Sequence, residues 1–289
     1  MTRSRHALLL IGLLTLAACK NDAPAPVAPD AAAPAAAASA QQASAEDPQA
    51  KAAAEAGIRA AEEAAAKSPP PVAGTDYVEI SNGQPFDTDA ARVEVVEVFG
   101  YVCPFCAAVQ PAVSAMKAKL PPDVHMVYIP AAFGSMWDNY AKAYYAAEAM
   151  GLGEKTHDAM CRAIHIDKSL KGERGMDTPQ EIAAFYAAYG ADAGQFVSSM
   201  QSFAVASKVN RGQQYIIDAF ANGDTPSTPT FIVAGKYRVK GKSVEDMFRI
   251  INQLVVAERA KLGAAAPAPA ADAPAAPADA SDAAPAPQG

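Results

Sequence analysis

The chain has 289 residues, a formal net charge of −7 and a composition that is 51% hydrophobic and 19% charged. That length holds one full domain with room for long flanking segments. The acidic balance argues against a nucleic-acid partner, which would call for a basic face, but it says little about a polypeptide substrate, because part of the charge lies in the terminal segments.

At the amino terminus, Arg3 and Arg5 precede an apolar run from Ala7 to Ala18, too short for a comfortable membrane span. The run ends in Leu16-Ala17-Ala18-Cys19, which resembles the lipobox of bacterial lipoproteins. The resemblance implies a signal peptide over residues 1–18 and a lipid on Cys19; an ordinary cleaved signal peptide is the alternative. Both imply export to a compartment where disulfides persist. Lys20 stands where an aspartate commonly retains enterobacterial lipoproteins in the inner membrane. This points toward the outer membrane, with the inner membrane left open. Residues 19–74 are dominated by alanine and proline and are expected to form a solvated tether. Within them, Ala50 to Lys67 has high helix propensity but only a small apolar face. Residues 263–289 return to Ala/Pro/Asp and read as a disordered tail, which leaves a folded core over residues 75–262.

The core opens with a short strand, Tyr77 to Ile80, and a stronger one, Val93 to Phe99. Glu94 on that second strand is expected to face water. A helix from about Pro104 to Leu120 contains Pro111, which removes one helical hydrogen bond and bends the axis. Val124 to Ile129 is a third strand. Five helical stretches follow, from Met136 to Met150, Glu154 to Ile166, Pro179 to Tyr189, Ala191 to Gln201 and Val205 to Ala221, with Gly190 and Gly223 suited to helix ends. The core closes with Thr230 to Val233, a turn at Gly235, Tyr237 to Val239, and a helix from Val244 to about Lys261. This is an α/β sheet with a helical block, about 134–222, set between its third strand and its final hairpin.

Cys103-Pro104-Phe105-Cys106 sits where the second strand hands over to a helix. Two cysteines so spaced between strand and helix read as a redox centre. The first lies at a helix N-terminus, where unpaired N–H groups and the helix dipole favour a thiolate; Pro104 suits the first helical position. Zinc normally takes a second ligand pair, and the chain has no second Cys-x-x-Cys. His157, Cys161 and His165 recur every four residues along one helical face. Cys161 reads as a packing residue among Met160, Ala163 and Ile164, with the histidines at the edge of that face; a metal site or a regulatory disulfide are the alternatives. Trp137, Tyr140 and Tyr144 form an aromatic row suited to core packing, or in part to a client groove. Phe105, between the cysteines, is expected to be exposed.

Four patterns in this order resemble the DsbA-type thiol:disulfide oxidoreductases of the thioredoxin superfamily, in a lipoprotein form. They are the strand-CPFC-helix unit, WDNYAKAYYAAEAMG at Trp137 to Gly151, Ser227-Thr228-Pro229-Thr230, and FIVAGKYRV at Phe231 to Val239. The resemblance covers about Tyr77 to Lys261 and implies an α/β thioredoxin-like fold with an inserted all-helical domain. It implies that Cys103 is the accessible nucleophile, Cys106 the shielded resolving thiol and Pro229 a cis-proline beside them. Thr228 would then pair through its backbone with a client segment. Glu97 matches a buried acid beneath the active site that exchanges a proton with Cys106; a solvent-facing strand residue is the other reading. The implied function is introduction of disulfides into exported proteins, with no cofactor beyond the redox-active disulfide and no metal. The implied partners are reduced or unfolded exported proteins, a DsbB-like quinone-linked membrane oxidase, and the membrane through the lipid on Cys19. The implied state is a periplasmic monomer. An isomerase or reductase kept reduced is the runner-up, although isomerases of the DsbC kind dimerise through an added amino-terminal domain. A non-catalytic lipoprotein holdase or adaptor is a further alternative.

The chain departs from the enteric pattern at three places, one of them Pro111, where thioredoxin also kinks its active-site helix. Phe105 replaces a histidine, so no imidazolium is available to stabilise the Cys103 thiolate. Tyr128 stands about where a lysine faces the buried acid, which removes any Lys–Glu pairing at Glu97. Cys103 is therefore expected to titrate between the enteric DsbA value, about 3.5, and the thioredoxin value, about 7.

Overall fold

A computed structural model describes residues 48–87 and 91–265. Five strands form one sheet in the order β1 (Tyr77–Glu79), β5 (Tyr237–Val239), β4 (Thr230–Val233), β2 (Val93–Phe99), β3 (Val124–Pro130). Only β2 and β3 run parallel; the other neighbours are antiparallel. All seven residues of β2 are buried. A central strand covered on both faces has no wet side, so its apolar run is nearly continuous rather than alternating.

The two faces are filled by different helices. Val93 and Val95 of β2, with Phe231 and Val233 of β4, pack against Val109 and Val113 of α2 (Pro104–Lys117) and Ile250, Ile251 and Leu254 of α8 (Val244–Ala265). Val96 and Val98, with Ile129 and Ile232, pack against Ile216, Ala219 and Phe220 at the end of α7 (Phe203–Ala219). Each such side chain contributes about 2 kcal/mol of burial. Between β3 and β4 the chain inserts α3 (Ser135–Ala149), α4 (Gly153–His165), α5 (Pro179–Ala187) and α6 (Ala193–Met200) before reaching α7. Their core is aromatic: Phe99 and Tyr101 from the sheet end meet Tyr140, Tyr144, Tyr186 and Phe196 of the insertion. The expected α/β sheet with an all-helical insertion is the fold observed, and the expected elements lie within a few residues of those found.

Two expectations need correction. Glu94 does not face water. It is 1% exposed and its carboxylate accepts the backbone N–H groups of Phe86 and Asp87 at 2.7 and 2.6 Å. The strand's second face is covered by α7, so the carboxylate finds its partners in the chain approaching β2. His157 is not at the edge of its helical face but 4% exposed, enclosed by the rings of Phe99, Tyr101, Tyr128 and Tyr144.

The expected tether also contains structure. Residues Pro48–Lys67 form α1, whose end is stitched to α8: Gln253 Nε2 donates to Pro69 O at 2.6 Å and Arg249 Nη1 to the same carbonyl at 3.3 Å. Residues 1–47, including the expected signal peptide and Cys19, and the tail from 266 onward lie outside the described residues. Among those described, no helix is long and apolar enough to cross a membrane.

Candidate active site

β2 ends at Phe99 and the chain turns through Gly100, Tyr101 and Val102 into α2. Gly100 is required there, since a Cβ would come within 2.0 Å of the Trp137 ring. The close approach seats α3 against the turn. Two histidines of α4 hold Tyr101: His157 Nδ1 lies 3.1 Å from its hydroxyl and His165 Nε2 lies 2.7 Å from its carbonyl. The insertion thus braces the turn that delivers Cys103.

Cys103 is the N-cap of α2, with extended backbone at φ −80° and ψ 118°, and Pro104 begins the helix. Its sulfur accepts the N–H of Cys106 at 3.4 Å and lies 3.6 Å from the carbonyl oxygen of Thr228. Cys103 is 6% exposed, on the floor of a groove walled by Phe133, Met136, Trp137, Ser227 and Thr228. Phe105, the residue between the cysteines, projects outward and is 73% exposed. Cys106 is 1% exposed, behind the first thiol. Both cysteines are free thiols.

The two sulfurs have opposite electrostatics. The Cys103 thiol is lowered to about 5, first by the hydrogen bond from the Cys106 side chain, then by the Thr228 side chain and the backbone amides of Cys106 and Phe105, against the opposing cost of burial. Hydrogen-bond donors at and beside the open helix end lead this lowering. The Cys106 thiol is pushed far up, by its hydrogen bond to Cys103, by burial and by the neighbouring charges of Cys103 and Glu97.

Thr228-Pro229 is a cis peptide directly ahead of β4. The loop leading to it is fixed from β5 by Arg238, which donates to Ala219 O and Asn222 Oδ1 at 3.1 Å each, pairs with Asp224 and lies over the Phe220 ring. Glu97 lies on the face of β2 turned toward α2, in register with Tyr128 on β3 and Phe231 on β4. It is wholly buried and neither carboxyl oxygen has a hydrogen-bond partner. Burial first, then the charges of Cys103 and Asp158, raise its pKa to about 8.

The structure therefore brings Cys103, Cys106, Thr228 and Pro229 together, with Glu97 beneath them. Cys161 is 6% exposed within the aromatic core, and burial pushes its thiol up to about 12. Among the described residues, no three His, Cys, Asp or Glu side chains are grouped so as to hold a metal ion. Sequence reasoning missed Tyr101 and Gln110, and it placed His165 at the edge of its helical face without its contact to the Tyr101 carbonyl. Gln110 lies one turn beyond Cys106 and donates to Asp158 Oδ1 at 2.9 Å; its i+4 spacing from Cys106 was the available signal.

A two-cysteine helix N-terminus facing a cis-proline on this fold defines a thiol:disulfide oxidoreductase of the thioredoxin class. The thioredoxin family model matches residues 87–253. The chain is 35% identical over 191 residues to the thiol:disulfide interchange protein DsbA of Pseudomonas aeruginosa, an alignment spanning 65% of this chain and 86% of that protein. It is 34% identical over 189 residues to the protein of the same name from Azotobacter vinelandii, spanning 64% and 84%. Among solved structures, oxidoreductase DsbA from Xylella fastidiosa superposes with a TM-score of 0.62 at 39% identity, covering 66% of this chain and 98% of that one. Pseudomonas aeruginosa DsbA superposes with a TM-score of 0.57 at 34% identity, covering 66% and 96%. The chain belongs to the DsbA-type thiol:disulfide oxidoreductases.

Proposed function

We propose that this protein works in the periplasm as a lipid-anchored dithiol oxidase whose Cys103–Cys106 disulfide is passed to exported proteins as they fold. A client thiolate attacks Cys103, and Cys106 leaves. A second client thiol then attacks the mixed disulfide, so that the client is oxidised and the pair takes up two electrons. Thr228 presents its backbone to the client as an added strand, with Pro229 beside the disulfide. Glu97 gives a proton to Cys106 as that sulfur departs and takes it back on reoxidation. A DsbB-like, quinone-linked membrane oxidase restores the disulfide, and the pair itself is the only redox group required. The lipid on Cys19 holds the molecule, as a monomer, at the membrane.

The observation that carries this reading is the opposite displacement of the two thiols. A stabilised Cys103 thiolate favours the reduced pair, and a pair that prefers to be reduced is an oxidant toward its clients. Equilibrating the protein in glutathione buffers measures this directly. The expected reduction potential lies nearer the enteric DsbA value, about −120 mV, than the thioredoxin value, about −270 mV. A value at or below the thioredoxin one would make the protein a reductant and sink the oxidase reading.

A further inference from the structure

Apart from the Cys103 thiolate, the groove over the active site has one charged side chain among the described residues that line it. This is Glu173, from the loop between α4 and α5, opposite a wall of Phe133, Met136, Trp137, Ser227 and Thr228. The other acids between Asp167 and Glu181 are all engaged. Asp167 pairs with Arg162 at 3.2 Å and Glu181 with Lys171 at 2.6 Å, and Asp177 accepts the Tyr140 hydroxyl at 2.7 Å. Glu173 is exposed, and its carboxylate makes no hydrogen bond or ion pair among the described residues. Lys168 lines only the neighbouring groove, on the α4 side of Pro104, where Glu173 forms the shared rim.

The loop that presents Glu173 is firmly built. Asp177, 3% exposed, also accepts the backbone N–H groups of Lys171 and Gly172 at 3.0 and 2.9 Å. Gly172 sits at φ +54°, and a Cβ there would come within 2.3 Å of Ile164 Cγ2, so the turn Gly172–Arg174 closes tightly on α4. Arg174 folds back on the carbonyls of Leu170 and Lys171. None of these contacts uses the Glu173 side chain. A carboxylate at this rim repels an incoming client thiolate, unless the client brings a cation of its own to face it.

We infer that Glu173 selects clients, favouring segments that carry lysine or arginine two residues from the reactive cysteine. The inference rests on the oxidase reading above and names its client class. A client strand laid along Thr228 alternates its side chains. The residues two before and two after its cysteine therefore share the cysteine's side and face the groove. There they meet either the apolar wall of Phe133, Met136 and Trp137 or the Glu173 carboxylate. The client thiolate bonds to the Cys103 sulfur as Cys106 leaves with the electron pair of the broken disulfide. Glu173 takes no part in that exchange and acts on which segment reaches it.

The test uses the full-length oxidised protein and reduced two-cysteine peptides that lack tryptophan. The peptides carry lysine or glutamate at both positions two residues from the first cysteine. Fluorescence of Trp137, the chain's one tryptophan, follows reduction of the pair in stopped flow. The lysine-to-glutamate rate ratio is compared between wild type and Glu173→Gln, which cancels the effect of those side chains on the peptide's own thiol. The wild-type ratio is expected to be about fivefold the larger at low salt, the scale of exposed charge pairs, and to approach the Glu173→Gln ratio at about 0.5 M salt. Glu173→Lys is expected to bring the ratio below that of Glu173→Gln. Equal ratios in wild type and Glu173→Gln, or a difference that salt leaves unchanged, overturn the selection while leaving the oxidase reading in place. A wild-type protein that oxidises none of the peptides instead overturns the oxidase reading.

Discussion

Two regions meet at the start of α2, and they treat charge in opposite ways. Around Cys103 the backbone is open-ended, and amide groups and neighbouring side chains converge on one sulfur. Around Cys106 and Glu97, a few residues deeper, there is a buried thiol and a carboxyl group with no partner at all. The first region holds an anion chiefly through hydrogen-bond donors. The second holds its groups neutral by excluding water. The lesson is that the disulfide's chemistry is set by a gradient of hydrogen-bond donors across one helical turn, which explains how the site dispenses with a charged residue at position 105.

The largest effect that would break this comparison is on stability at the dry end. The Glu97 pKa is raised to about 8, above its unfolded value near 4.3. Between those values the folded chain binds more protons than the unfolded one, so this group's contribution to stability falls as pH rises from about 4 to 8. Glu97→Gln removes that titration. Its stability relative to wild type is expected to grow by on the order of 3 kcal/mol between pH 5 and 8, read by denaturant unfolding of the reduced protein, in which both cysteines are thiols. A pH-independent difference would mean that the lower region is not dry.

The smaller effect sharpens the comparison at the donor-rich end. Phe105→His introduces an imidazolium next to the thiolate, but position 105 is 73% exposed, so solvent and salt screen the new charge. The Cys103 pKa is expected to fall by no more than about one unit, measured by thiolate absorbance. A larger fall would assign to a side-chain charge what is ascribed here to the helix end.

Local chemistry made most of the site legible. The run Val93 to Phe99 followed by Cys-Pro-Phe-Cys specifies a buried strand, a turn and a proline-led helix within fourteen consecutive residues, and the resemblance carried Thr228-Pro229 to the same place. What was not legible depends on partners far away in the chain. Glu94 was expected in water because alternation assumes one wet face, whereas α7, more than a hundred residues later, covers that face. His157 was expected at an edge because its own helix suggests one; the rings that enclose it come from β2, β3 and α3. The end of α1 docks because Arg249 and Gln253 of α8 donate hydrogen bonds to the carbonyls at and just past its end, and nothing in the alanine-rich segment itself announces them.

The central claim is that hydrogen-bond donors lead in holding Cys103 as a thiolate while Cys106 stays protonated. Ultraviolet titration of the reduced protein near 240 nm tests it, with Cys106→Ser as the reference in which one thiolate remains. The account predicts a single transition near pH 5, with no second thiolate appearing below pH 10. A first transition near pH 8, or two thiolates ionising together, would contradict it.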